Sequence, residues 1–354
     1  MSEREPRIPE RQCSVSFMEQ PASRASHPAA SRREPPGEVP TPGHTTRLAP
    51  SPTGALHLGN ARTFLINWTL ARRQNWKIIL RIEDLDGPRI KPGAVDLTVD
   101  LLRWLGLDWD EGPMVQSRDL DPYRQAMRRL AAQGLVYPCE LTRAEIEGAA
   151  GAPQEGSGET VFPASMRPAV VASRSFDDEH TNWRFVVDEG SVKFTDRFAG
   201  LRIIEPARSI GDFVVWTRRG IPAYQLAVVV DDHRQGVTQV VRGNDLLDSA
   251  ARQILLYRAL GLGPIPTYTH LPLVRGVDGR RLAKRHGDTR LDSYRRMGVP
   301  PGRILTLLAR WCGVETMSGT IDATEFSRRF DLTTMSPGDV VFRVEDEQWL
   351  RLPV

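Results

Sequence analysis

Residues 46–82 do most to narrow what this 354-residue chain can fold into. A short β-prone run at 46–49 meets the rigid turn Pro50-Ser51-Pro52-Thr53-Gly54. The apolar residues Leu56, Leu58, Ala61, Phe64, Leu65, Trp68 and Leu70 then recur at helical spacing and stop near Arg73. Residues 76–82 form an apolar, β-rich run suited to a buried strand, stopped by Asp84-Leu85-Asp86-Gly87-Pro88. Strand, turn, helix and strand in that order predict an α/β fold, a parallel sheet covered by helices. Amphipathic helices at 96–105 and 122–133 continue the pattern.

Beyond them, residues 145–182 carry Gly, Ala, Ser, Pro and scattered charge, which predicts an irregular surface excursion. The runs 183–187 and 192–195, separated by Asp188-Glu189-Gly190-Ser191, read as a β-hairpin inside an inserted subdomain. Residues 213–216, 227–230, 239–241 and 268–273 read as further strands. Residues 249–260, closed by Gly261, and 300–311 read as helices. Residues 1–44 are rich in Pro, Ser, Arg and Glu with few apolar side chains, and a disordered extension is expected there. The expected division is therefore an extension at 1–44, an α/β unit at 45–300 with an insert at about 110–205, and a short helical segment at 301–354.

Composition removes several classes of function. No apolar run approaches the roughly 18 residues of a membrane span, and the start lacks the apolar core of a secretory signal. Cys13, Cys139 and Cys312 lie far apart, which excludes a disulfide framework and an all-cysteine zinc site. A cytoplasmic protein without a membrane partner is expected. The formal charge of +3 permits nucleic acid without arguing for it. Lysine occurs only at Lys77, Lys91, Lys193 and Lys284, the other 43 of 47 basic residues being arginine, so a lysine inside a motif carries some information.

Four stretches can carry chemistry, and each is ambiguous alone. In Arg47-Leu48-Ala49-Pro50-Ser51-Pro52-Thr53-Gly54-Ala55-Leu56-His57-Leu58-Gly59-Asn60, His57 and Gly59 fall in the first turn of the helix. Unpaired backbone N–H groups and the dipole favour anions there, Gly59 permits close approach to the backbone, and an imidazole can donate to a phosphate. A surface histidine on a glycine-containing helix fits the same residues. Arg81-Ile82-Glu83-Asp84-Leu85-Asp86 ends a buried strand, where open α/β sheets bind ligands. Glu83 can hold an ammonium group there, or the acidic turn simply caps the next element. Tyr224 precedes the run 227–230, which ends in Asp231-Asp232, and Val241-Arg242-Gly243-Asn244-Asp245 ends another strand. Arg242 can grip a carboxylate with two prongs, or pair with Asp231 or Asp232; Tyr224 can donate one hydrogen bond. Gly279-Arg280-Arg281-Leu282-Ala283-Lys284-Arg285-His286-Gly287-Asp288 suits a cationic loop closing on polyphosphate, or a solvated basic face.

Together, in this order and spacing, the four stretches resemble the glutamyl-tRNA synthetase family of class I aminoacyl-tRNA synthetases over roughly residues 46–300. His57-Leu58-Gly59-Asn60, preceded by Pro50 and Gly54, is similar to the first signature; Arg281-Leu282-Ala283-Lys284-Arg285 is similar to the second. The runs 223–232 and 241–247, with Arg252-Gln253-Ile254 after them, resemble the short members that attach glutamate to queuosine in the anticodon of tRNA(Asp). The resemblance implies a Rossmann-like parallel sheet with an inserted acceptor-type α+β subdomain and a short helical C-terminal tail. It implies activation of L-glutamate by ATP with Mg2+, without tRNA, and transfer to queuosine-containing tRNA(Asp), by a monomer. Arg47, Leu48, Ala49, Pro50, Ser51, Glu83, Tyr224 and Arg242 would then form the glutamate pocket, and His57, Gly59, Asn60 and Lys284 would serve ATP.

The departures bear on activity and metal. Asn60 stands where full-length synthetases have histidine, Arg281 replaces the first lysine and Ala283 the serine of the second signature, while Lys284 is kept. Weakened rather than absent chemistry is implied. The short members bind zinc through Cys-x-Cys and a later Tyr-x(3)-Cys. Here Cys139 is retained and Leu141, Phe162 and Met166 stand at the other positions. One thiol cannot make a four-ligand site, so no zinc is expected. The stretch after Arg285 is short for an anticodon-binding domain. A truncated glutamyl-tRNA synthetase charging tRNA(Glu), and a non-catalytic RNA- or glutamate-binding paralogue, remain the alternatives.

Overall fold

The computed structural model describes residues 43–87, 90–149, 160–280, 282, 288–316 and 319–352. The extension expected at 1–44 lies outside them apart from its last two residues. In chain order the first elements are β1 (Thr45–Leu48), α1 (Leu58–Arg73), β2 (Lys77–Ile82), α2 (Ala94–Trp104), β3 (Glu111–Val115), α3 (Asp121–Ala132), β4 (Val136–Pro138) and α4 (Arg143–Ala149). There follow β5 (Trp183–Phe185), β6 (Val192–Asp196), β7 (Gly200–Ile204), α5 (Pro206–Ser209), β8 (Phe213–Thr217), β9 (Ile221–Pro222) and α6 (Tyr224–Arg234). The chain continues with β10 (Gln239–Gly243), α7 (Leu247–Ala259), β11 (Thr267–Leu271), β12 (Val274–Arg275), α8 (Leu291–Arg296) and α9 (Pro301–Trp311). It closes with α10 (Ala323–Arg329), β13 (Val340–Val341) and α11 (Val344–Arg351).

Among the described residues five strands form an all-parallel sheet in the order β11-β10-β1-β2-β3. The register sets Leu48 of β1 beside Leu80 of β2, and Arg242 of β10 beside His270 of β11. Successive residues of a strand face opposite sides. Val241, Leu48 and Leu80 accordingly pack with α1, α2, α9 and α10, while Val240 and Tyr268 pack with α3, α6 and α7. The predicted helical segment after residue 300 shares the first of these cores: Ile304, Leu308, Phe326, Phe330 and Leu350 pack with Leu58 and Ala61 of α1. Between α3 and α6 the chain builds an antiparallel sheet, β4-β5-β8-β9, and a separate β6–β7 pair. No helix among the described residues is long and apolar enough to cross a membrane.

Three local expectations are corrected. The run 227–230 is not a strand but the middle of α6. Leu226 through Asp232 are all buried, and a short run apolar on every side does not distinguish a buried strand from a buried helix. The stretch 183–195 is not one hairpin: β5 pairs with β4 and β8, and β6 turns back onto β7. The β6–β7 turn is held by Asp196, whose carboxylate accepts the N–H groups of Phe198 (3.0 Å) and Ala199 (2.7 Å). The stretch 145–182 is largely irregular yet not confined to the surface. Phe162 and Phe176 are buried, and the Phe176 ring meets Trp183 and Trp216 edge-on at 5.2 and 5.1 Å.

Two glycines with the same left-handed backbone separate conformational strain from crowding. Gly211 has φ +68°, and a Cβ there would sit 2.3 Å from the Phe162 carbonyl oxygen; Gly236 has φ +63° with nothing within 4 Å. Gly236→Ala should cost about 1–2 kcal/mol from the backbone alone. Gly211→Ala should cost about 1–3 kcal/mol more, because the Phe162 segment must move. Urea denaturation of the two variants measures the difference, and equal costs would contradict the close approach.

Candidate active site

The first part of the site is the start of α1. His57 has extended backbone (φ −116°, ψ 170°) and caps the helix: its Nδ1 accepts the Gly59 N–H at 3.1 Å. Asn60 reciprocates, its Oδ1 accepting the His57 N–H at 3.3 Å. Sequence reasoning gave Gly59 to a ligand's approach, but the structure supplies another reason for it. A Cβ on Gly59 would lie 3.0 Å from the His57 ring, so glycine makes room for the cap. The same helix start is stitched to the chain beyond the basic loop. Leu58 N–H donates to the Thr289 carbonyl (3.1 Å) and Leu291 N–H to the Leu56 carbonyl (2.9 Å). The carboxylate of Asp288 lies within hydrogen-bonding reach of Arg290 and Ser293, which holds its pKa well below the usual range, Arg290 first.

The second part is a buried charge network at the carboxyl ends of β1 and β2. Arg47 and Arg81 both donate to one oxygen of Asp232, on α6: Arg47 Nε at 3.3 Å and Arg81 Nη1 at 2.7 Å. Arg81 also donates to Glu83 Oε1 from Nη2 (3.1 Å) and to Gln235 Oε1 (2.9 Å). Burial alone would lower the Arg81 pKa; Asp232, Glu83 and Asp231 more than offset it, so this wholly buried guanidinium stays charged. Burial pushes the Glu83 carboxyl above its ordinary value, and the pull of Arg81 and Arg47 in the other direction does not cancel the rise. The neighbouring Asp231 points elsewhere and accepts from Gln116 (2.8 Å) and the Tyr123 hydroxyl (2.7 Å).

The third part is Arg242, at the end of β10. Its Nε donates to His270 Nε2 (3.0 Å), Nη1 to Gln253 Oε1 (2.9 Å) and Nη2 to the Leu246 carbonyl (3.2 Å), over the Tyr268 ring at 5.2 Å. Arg242 pairs with neither Asp231 nor Asp232, which removes the alternative left open by the sequence.

These parts line one cavity of about 350 Å³. Arg47, Ala49, Glu83, Tyr224 and Arg242 line it together with His57, Gly59, Asn60 and Leu282. Of the remaining predicted residues, Leu48 is in the core, Pro50 is buried and accepts the Glu83 N–H (3.0 Å), and Ser51 and Gly54 are exposed and outside the lining. Arg281, Ala283, Lys284 and Arg285 lie outside the described residues. Sequence reasoning weighed Asp232 as a turn former or a partner of Arg242, not of Arg47 and Arg81, and passed over His270 and Asp196. Nothing local marks them, because the partners stand 185 residues apart for Arg47–Asp232 and 74 for His270–Asp196. In the insert, Cys139 and Phe162 are buried in one apolar cluster with Tyr137 and Ile146, against which Leu141 and Met166 pack.

Residues 44–349 match the model of the tRNA synthetases class I (E and Q), catalytic domain. The chain belongs to that family. It is therefore a class I tRNA ligase with the family's Rossmann-like catalytic sheet. The chain is 49% identical over 280 residues to a glutamyl-Q tRNA(Asp) synthetase of Rhodopirellula baltica, covering 76% of this chain and 84% of that one. It is 45% identical to the protein of that name from Symbiobacterium thermophilum, covering 81% of this chain and 92% of that one. With a glutamate–tRNA ligase of Anaeromyxobacter sp. the identity is 39%, over 86% of this chain and 65% of the relative. Among solved structures, a glutamate tRNA ligase from Elizabethkingia meningosepticum in complex with its amino acid superposes with a TM-score of 0.71 at 26% identity, over 87% of this chain and 68% of that one.

Asp232 supplies the test of the charge network in this ligase. Asp232→Asn keeps the shape and removes the charge shared by two buried guanidiniums. The variant should lose about 3–5 kcal/mol of stability in urea denaturation, the cost of leaving buried charges uncompensated. A loss below about 1 kcal/mol, the range of an exposed pair, would show that the network does not hold β1, β2 and α6 together.

Proposed function

We propose that this chain activates L-glutamate with ATP and transfers it to queuosine in the anticodon of tRNA(Asp). One observation carries the first half: an amino-acid-sized cavity lined by the guanidiniums of Arg47 and Arg242 and the carboxylate of Glu83, beside a helix N-terminus. Arg47 and Arg242 would take the carboxylates of glutamate, Glu83 its ammonium, and Tyr224 one further hydrogen bond. Leu48, Ala49, Pro50 and Ser51 would shape the pocket wall through the turn after β1.

In this reading the α-carboxylate of glutamate attacks the α-phosphorus of ATP, and pyrophosphate leaves. A hydroxyl of the queuosine cyclopentenediol then attacks the carbonyl of glutamyl-adenylate, AMP leaves, and an ester forms. Neither step needs a protein nucleophile; positioning and charge stabilisation suffice. ATP enters as its magnesium complex, as substrate. Its phosphates would lie along the N-terminus of α1 with His57, Gly59 and Asn60, and Lys284 would neutralise the leaving pyrophosphate as a point charge. Cys139 stands in an apolar cluster rather than among donors, and that packing fits a zinc-free insert. A cytoplasmic setting follows from ATP, glutamate and tRNA as the substrates.

Higher identity to proteins named glutamyl-Q tRNA(Asp) synthetase than to those named glutamate–tRNA ligase supports queuosine as the acceptor. Radiolabelled glutamate offered with ATP to three RNAs tests it: queuosine-containing tRNA(Asp), the same tRNA without queuosine, and tRNA(Glu). Label should appear on the first alone. Label at the 3′ end of tRNA(Glu) would instead make the chain a tRNA(Glu)-charging enzyme, and label on none a binding paralogue.

A further inference from the structure

Behind Arg242 stands a chain of buried polar groups outside the lining of the glutamate-sized cavity. His270 lies opposite Arg242 in register on the neighbouring strand, with its side chain wholly buried. Its Nδ1 is 2.6 Å from Asp196 Oδ2. Asp196, also wholly buried, accepts the N–H groups of His270 (3.1 Å), Phe198 (3.0 Å) and Ala199 (2.7 Å).

The donor and acceptor count leaves one consistent arrangement. An ionised carboxylate only accepts and a guanidinium only donates. The proton of the imidazole therefore sits on Nδ1, facing Asp196, and the Nε2 lone pair accepts from Arg242 Nε. An imidazolium would set an N–H against an N–H and a cation against a cation. Burial lowers the His270 pKa and Arg242 lowers it further, against the pull of Asp196. The Asp196 carboxyl, which burial alone would raise, is held down by His270 and its backbone donors. The other groups facing the imidazole are the Tyr268 ring, stacked at 5.9 Å, and the Leu246 backbone. Three of the five Arg242 N–H groups are engaged by His270, Gln253 and Leu246, and two have no partner among the described residues.

We propose that the Asp196–His270 pair is a positioning device that fixes the guanidinium plane of Arg242, so that its two remaining N–H groups meet a carboxylate of glutamate. Asp196 and His270 touch no substrate; they act through Arg242. The β6–β7 turn, which carries Asp196 outside the parallel sheet, is thereby part of amino-acid selection. The inference rests on Arg242 as a glutamate-binding residue.

The test uses the full chain, glutamate-dependent ATP–pyrophosphate exchange, and the KM for glutamate and for ATP measured separately. His270→Asn keeps a donor for Asp196 and presents no acceptor to Arg242; His270→Gln presents an amide oxygen near the Nε2 position. Loss of a charge-assisted hydrogen bond corresponds to roughly a 10–150-fold effect. His270→Asn should raise the glutamate KM by roughly tenfold or more while the ATP KM stays unchanged, and His270→Gln should recover most of it. Equal shifts in the two variants, or glutamate and ATP KM rising together, would overturn the proposal. Should His270→Asn not fold, as read by its melting curve, His270→Gln alone decides: a glutamate KM near that of the unaltered enzyme supports the proposal, and a roughly tenfold rise overturns it. Absence of glutamate-dependent exchange in the unaltered chain contradicts the functional reading instead, so the two failures are distinguishable.

Discussion

One carboxylate, that of Asp232, joins the strand ends to the helix that covers them. Arg47 near the end of β1 and Arg81, two residues past the Arg47 register partner Ile79 on β2, both reach one Asp232 oxygen, and two buried guanidiniums converging this way require an anion between them. Asp232 supplies it from the last turns of α6. The position of α6 then determines where Tyr224, its first residue, meets the cavity. Glu83 completes the balance on the open side, where it faces the cavity and Arg81 together.

The two hydrophobic cores give the site its two walls. The core under α1 sets the helix whose start carries His57, Gly59 and Asn60, and the C-terminal helices α9–α11 close that core. The core under α6 and α7 holds the wall with Tyr224 and, through Gln253, the back of Arg242. The pairing of Leu56–Leu58 with Thr289–Leu291 brings the residues after the basic loop to the first signature, although some 230 positions separate them in sequence. Asn60 keeps a structural role in this arrangement as the reciprocal cap of His57.

Much of this was legible in the chain. The strand–turn–helix–strand over residues 46–82 was readable because the turn chemistry and both periodicities agree there, and β1, α1 and β2 follow it within a residue or two. Glu83 and Arg242 were findable because each ends an apolar strand run, whereas Arg47 came from the family resemblance and Tyr224 from its place ahead of a run misread as a strand. The Val228-Val229-Val230 run misled because β-branched residues favour strands locally, and full burial in the core shared with α3, α7 and β8 overrides that preference. The β6–β7 turn was missed although Asp196 forms it locally with the Phe198 and Ala199 N–H groups; its contact with His270, 74 residues away, has no local signal. Buried partners of this kind carry no local periodicity, and only tertiary packing, here the end of β6 against β11, brings them together.

The site's charges are held by the protein's own groups, Arg47 by Asp232 and Arg242 by His270 and Gln253. A pocket charged in advance should read the second carboxylate of glutamate before any RNA arrives. The direct measurement is ATP–pyrophosphate exchange in the absence of tRNA, with glutamate and with glutamine. Glutamate should support exchange and glutamine should fall short by roughly 100-fold or more in kcat/KM, because the amide leaves a guanidinium unpaired. Exchange that glutamine supports equally, or that appears only when tRNA is added, would contradict a pocket preset by these arginines.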